Sequence, residues 1–247
     1  MNKTGLVSIS FRPLSAEDIL EASARAGLDA IEWGGDVHVP HGNISEAKRV
    51  ARLTEQYGLK TAEYGSYYKI GKHDVDFSGV VASADALGTS VIRVWPGLGL
   101  MTSELTADDY AYMVQDAKRI CDVAKDMTVA LECHPYSLTE DYSSALKFLS
   151  DVGKENLKMF WQPNQYRDLE YNLSAIRALL PHIVSVHTFF WRKDDKYPLS
   201  DGLDIWSRYV DLLGQKELSY MLEFMPDGRI ETLKGEADTL KKLLSGT

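Results

Sequence analysis

Glu132, His187 and Glu223 end three largely apolar runs, TVALE, IVSVH and YMLEF. A charged or metal-capable side chain is costly to bury alone after such a run. Two carboxylates and an imidazole that converge make a mixed oxygen and nitrogen site for a divalent cation. The competing reading pairs each carboxylate with an arginine or lysine and ties the histidine to backbone. Three such ends in one chain favour the cation site. A fourth run, LKMFW, stops instead at Gln162 and, beyond Pro163, Asn164. A glutamine carbonyl can bind a hard cation but brings no charge. Otherwise it hydrogen-bonds a substrate or a neighbouring ligand.

These ends must be positioned by a scaffold, and the chain alternates between strand and helix patterns. Short β-rich runs lie at 5–11, 29–33, 60–64, 90–95, 128–132, 157–161, 183–187 and 220–224. Most are nearly continuous apolar segments, as expected of parallel strands buried on both faces. Helical segments fall between them. Ser15 and Thr106 each precede an aspartate by three residues, which predicts capping boxes. Gly27, Gly58, Gly88, Gly153 and Gly214 follow helical patterns, where left-handed caps are expected. Eight strand–helix units with no linker or composition break predict one α/β domain over residues 1–247, a (β/α)8 barrel. A doubly wound open sheet is the runner-up fold, but the first turn, SFRPLS, carries no glycine-rich phosphate fingerprint.

In a barrel of this kind chemistry gathers where the strands end and the βα loops meet. The loops there carry Trp33, His38, Tyr64, Tyr67, Trp95, His134 and Arg192, a polar and aromatic set suited to substrate hydroxyls. Each also has a packing or solvated-surface reading. His134 lies two residues past Glu132, on the same face by strand alternation, and Cys133 faces away. Arg192 opens the polar segment RKDDKYPLSDG, a candidate lid whose charges could equally be a solvated surface.

The chain has 247 residues and a formal charge of −9, which disfavours a nucleic-acid partner because phosphate neutralisation needs a basic face. Two cysteines fit a reducing cytoplasm better than a disulfide framework. No apolar run approaches the ~18 residues of a membrane span. The expected partner is a small carbohydrate or polyol, and the expected location is cytoplasmic.

The ordered segments ALECHP, FWQPN, SVHTFFW and YMLEFM resemble the xylose isomerase-like TIM-barrel superfamily of sugar isomerases and epimerases. IEWGGDVHVPHG and EYGSYYKIG are similar to segments of its bacterial branches. The resemblance implies a divalent metal (Mn, Mg, Co or Zn) held by Glu132, His187 and Glu223, with Gln162 where the family usually has aspartate. Gln165 falls where a histidine often follows. It also implies Glu132 and Glu223 as the acid–base pair that moves a proton beside a carbonyl, and frequent homo-oligomers. A dehydratase or lyase on the same scaffold, an abasic-site endonuclease and a non-catalytic sugar-binding protein are the alternatives.

Overall fold

The computed structural model describes residues 2–72, 74–97, 99–214 and 216–246. Eight parallel strands close on themselves. In chain order they are β1 (Lys3–Val7), β2 (Ala30–Gly34), β3 (Lys60–Lys69), β4 (Val91–Trp95), β5 (Thr128–Glu132), β6 (Leu157–Trp161), β7 (Ile183–Thr188) and β10 (Ser219–Leu222). Each pairs with its neighbours in sequence, and β1 closes the ring against both β2 and β10. The crossovers are α1 (Ala16–Arg25), α2 (Ile44–Gln56), α3 (Phe77–Leu87), α4 (Ala107–Val123), α5 (Tyr142–Val152), α6 (Leu169–Leu179) and α7 (Leu203–Leu213), and α8 (Leu233–Ser245) ends the chain. The expected (β/α)8 barrel is what forms.

Alternation along the strands sorts the chemistry from the packing. Ile31, Trp33, Ile92, Val94, Val129, Leu131, Val186 and Leu222 point outward into the core shared with the helices. Their neighbours Glu32, Arg93, Glu132 and His187 point inward and meet across the lumen. Apolar runs thus deliver polar tips to the barrel axis while burying their other face. Among the described residues no helix is long and apolar enough to cross a membrane.

The sequence expectations need four adjustments. The first strand is shorter than 5–11, because Ser8–Phe11 tighten into a 3₁₀ turn. The third is longer than 60–64, running to Lys69 through an irregularity after Gly65 that re-aims Tyr67. Gly214 ends α7 with φ −64°, so its cap is right-handed, whereas Gly27, Gly58, Gly88 and Gly153 adopt the expected positive φ. The polar segment after β7 is an ordered antiparallel hairpin, β8 (Phe190–Arg192) and β9 (Asp195–Tyr197). Both capping boxes form, Ser15 with Asp18 and Thr106 with Asp109.

Candidate metal centre and adjoining cavities

Glu132 ends β5, His187 lies one residue from the end of β7, and Glu223 follows β10 directly. Their side chains are buried, and one ligand atom from each lies within 4.8 Å of the others. His187 Nδ1 faces Glu223 Oε2 at 3.4 Å and Glu132 Oε1 at 3.7 Å, and makes no hydrogen bond. Its Nε2 is 2.8 Å from Glu32 Oε2. A carboxylate behind the ring holds a histidine in the tautomer that offers its other nitrogen. Burial lowers the His187 pKa, but Glu223 and Glu32 outweigh it and raise it well above the ordinary range.

Arg93 ties this arrangement together. Its Nε donates to Glu32 Oε1 at 2.6 Å and its Nη1 to Glu132 Oε2 at 2.5 Å, with all three side chains buried. Burial alone would raise the carboxyl pKa of Glu132, yet the guanidinium, helped by His187, pulls it well below the usual range. The guanidinium passes the inner face of β3 at Gly65, where a Cβ would lie 2.6 Å from both Arg93 Nη2 and Glu32 Oε1. Tyr67, at φ 57°, places its ring 5.3 Å from the guanidinium carbon and accepts a hydrogen bond from Arg12 at 2.7 Å.

A divalent cation suits this donor set. Glu32, Glu132 and Glu223 against Arg93 leave two negative charges, which draw a proton onto His187; a cation taking Nδ1 would displace that proton. Glu63, deeper in the barrel, is pushed up to about 7 by burial and by Glu32, so it adds less than a full charge at neutral pH. The unpartnered Nδ1 of His187 sits between two carboxylates, and the buried carbonyl oxygen of Gln162 is likewise unpartnered. Both are ligand atoms in search of a partner.

Above the cluster opens a cavity of about 240 Å³, bounded by Arg12, Tyr67, Trp95, His134, Gln162 and Gln165 among others. Trp95 and His134 stack at 4.6 Å, and the Trp95 indole nitrogen is buried without a partner. Of the residues expected to contact substrate, Tyr67, Trp95 and His134 therefore reach this cavity. Trp33 does not: it packs outward and donates to Thr54 on α2. Tyr64 is also outward, its hydroxyl donating to the Val39 carbonyl at 2.7 Å. His38 bonds Ser8 and packs edge-on against Trp33, outside the cavity. Arg192 lies on a neighbouring cavity. Cys133 is inert, its thiol pushed up to about 12 by burial and Glu132.

Glu32 and Arg93 stand out as site-forming residues that reading strand ends one at a time does not assign. The available signal was parity: Glu32 and Arg93 are charges inside apolar strands, and two opposite charges on the inner faces of strands two apart can pair inside a barrel.

No curated protein matches the chain in sequence. Solved structures share its fold. The probable 3-DHS dehydratase AsbF of Bacillus anthracis, involved in petrobactin synthesis, is 20% identical with a TM-score of 0.82, covering 98% of this chain and 99% of its own. D-Psicose 3-epimerase of Clostridium cellulolyticum H10 is 13% identical with a TM-score of 0.73, covering 99% and 98%. An L-ribulose 3-epimerase is 20% identical with a TM-score of 0.72, covering 100% and 95%. A family profile described as xylose isomerase-like TIM barrel matches residues 20–243. With that match over most of its length, the chain belongs to the xylose isomerase-like TIM-barrel family.

Proposed function

We propose that the protein is a divalent-metal-dependent isomerase or epimerase that moves a proton at a carbon beside a carbonyl of a small polyhydroxylated substrate. The observation that carries this reading is the buried, unpartnered Nδ1 of His187, held between Glu132 and Glu223 beneath an open polar cavity. Glu132, His187, Glu223 and the carbonyl of Gln162 would hold the metal. When bound, it supplies a Lewis acid that polarises substrate oxygens and stabilises charge developing beside the carbonyl.

The chain's own residues divide the remaining work. Arg93 grips Glu132 Oε2, which keeps that carboxylate ionised and fixed in direction. Among the described residues Glu223 has no guanidinium or ammonium within ion-pair distance; its ion-pair partner is the His187 imidazole. Glu223 is therefore the carboxylate we assign to take the substrate's proton and, once protonated, to return it, while Glu132 stays ionised to hold the metal and orient the substrate. Trp95, His134 and Gln165 bound the cup that orients hydroxyls. Neighbours of the same fold include epimerases of D-psicose and L-ribulose and a probable 3-DHS dehydratase. Isomerisation, epimerisation and loss of water all begin with the same proton abstraction.

Ketoses, aldoses and inosose-like polyols incubated with the Mg²⁺-loaded protein in D₂O test the proposal. Deuterium uptake at the carbon beside the carbonyl, read by NMR, is the expected result, and the product spectrum separates rearrangement from dehydration. Glu223→Gln should reduce uptake by at least about a hundredfold, the usual scale of a lost acid–base group, and Glu132→Gln should reduce it by weakening the metal that Glu132 would hold. Uptake that persists in purified Glu223→Gln removes that residue from the proton transfer.

A further inference from the structure

A second cavity of about 360 Å³ adjoins the catalytic one and shares Gln165, Phe189 and Trp191 as its edge. Its lining contains Arg167, Arg192 and Lys193 and no carboxylate, in a chain whose formal charge is −9. Among the described residues none of these cations has an ion-pair partner. Arg167 lies 5.1 Å from the Tyr171 ring centre, and Arg192 lies 5.4 Å and 5.3 Å from those of Phe190 and Tyr197. Aromatic faces steady a guanidinium without neutralising it.

The cavity is built rather than incidental. The Lys193 amide donates to the Gln165 carbonyl at 3.3 Å, and the Tyr166 hydroxyl donates to Asp194 at 2.5 Å, clasping the β8–β9 turn to the loop after β6. Phe190, Trp206 and Tyr209 supply apolar walls. At the shared edge the indole N–H of Trp191 and the side-chain oxygen Oε1 of Gln165 are buried without partners. Those two atoms await a ligand that crosses from one cavity to the other.

We infer that this side cavity receives an anionic group, a phosphate ester or a carboxylate, at one end of a substrate whose carbonyl end occupies the catalytic cavity. The inference rests on the proton-transfer reading of that neighbouring site and deepens it by naming the substrate class. Unpaired guanidinium groups bind phosphate and carboxylate oxygens through two parallel hydrogen bonds. The combined space is also generous for a free sugar, which needs no cationic end.

Calorimetric titration of the Mg²⁺-loaded protein with D-ribulose, D-ribulose 5-phosphate and D-ribonate, at low salt, tests it. At least one anionic probe should bind about tenfold or more tightly than D-ribulose, and its identity distinguishes ester from carboxylate. Arg167→Gln combined with Arg192→Gln should erase that preference; both side chains are exposed, so folding is preserved. Equal binding of neutral and anionic probes overturns the inference. So does a preference that survives the double substitution and persists when Lys193→Gln is added, which would place the anion outside the side cavity. Deuterium uptake on the same samples separates the two readings. Uptake from D-ribulose without anionic preference removes the anion site and keeps proton transfer. A preference lost in the double variant, with no uptake from any probe, keeps the anion site and removes proton transfer.

Discussion

Glu32 is absent from the lining of the cavity above the cluster, yet it determines which nitrogen of His187 faces that cavity. Removing its charge should let the imidazole rotate or change tautomer. Glu32→Gln is expected to weaken Mn²⁺ binding by about 10–100-fold, the usual cost of losing the group behind a ligating histidine. Competition titration against a chelating dye reads this, and unchanged affinity would show that Glu32 serves packing alone. Gln162 invites the opposite experiment. Its buried carbonyl is unpartnered, and the family resemblance implies aspartate at this place. Gln162→Asp should therefore tighten Mn²⁺ binding by about tenfold or more, since a carboxylate adds charge at the same ligand position. Weaker or unaltered binding would place Gln162 on substrate. The three ligand candidates were legible because each puts a charge where an apolar run ends. Trp33 and Tyr64 were legible only as strand-end aromatics. Parity with Glu32 and Glu63 already directs Trp33 and Tyr64 outward, whereas the placement of Tyr67 depends on the irregular course of β3 after Gly65, which leaves no periodic trace.

The strands act as rulers, and β3 shows what that requires. Arg93 on β4 must cross β3 to reach Glu32 on β2, and it does so where β3 has Gly65. The need here is space rather than backbone freedom, since Gly65 has an ordinary strand conformation. Alanine would press a methyl group into both partners of a buried ion pair. Gly65→Ala should cost roughly 1–3 kcal/mol of stability from overpacking and should also reduce metal affinity by displacing Glu32. Denaturant unfolding and metal titration on one sample measure the two effects; a variant with wild-type values for both would mean that Arg93 has room the present geometry denies. The hairpin β8–β9 is the element least visible beforehand. Its polar residues signalled a loop, and pairing of Phe190 with Tyr197 and Arg192 with Asp195 lacks the glycine or asparagine usual in a two-residue turn. Lys193 takes the positive φ instead, at 56°.

Across the whole molecule, the barrel interior concentrates negative charge that a metal would balance, and Glu63 shows what this costs the fold. Its carboxyl is buried, with Ser185 and Ser219 opposing the shift, and leaves Oε2 without a partner. Burial, reinforced by Glu32, pushes it up to about 7 from an ordinary 4.5. Between those values the folded protein binds more protons than the unfolded chain, so this group's contribution to stability is complete below about 4.5 and is lost as pH rises through about 7. The loss amounts to at most about 3 kcal/mol, from ~1.4 kcal/mol for each pH unit separating the two values. Glu63→Gln keeps the shape and removes the titration. Its melting temperature should exceed that of the wild type by several degrees at pH 8.5, at roughly 2–4 °C per kcal/mol for a chain of this size. Near pH 5 the two should differ little. Thermal denaturation of both proteins from pH 5 to 8.5 settles the point: a gap that does not widen with pH would mean that Glu63 is ionised in the folded barrel, and the interior would then carry a further negative charge for the metal to offset.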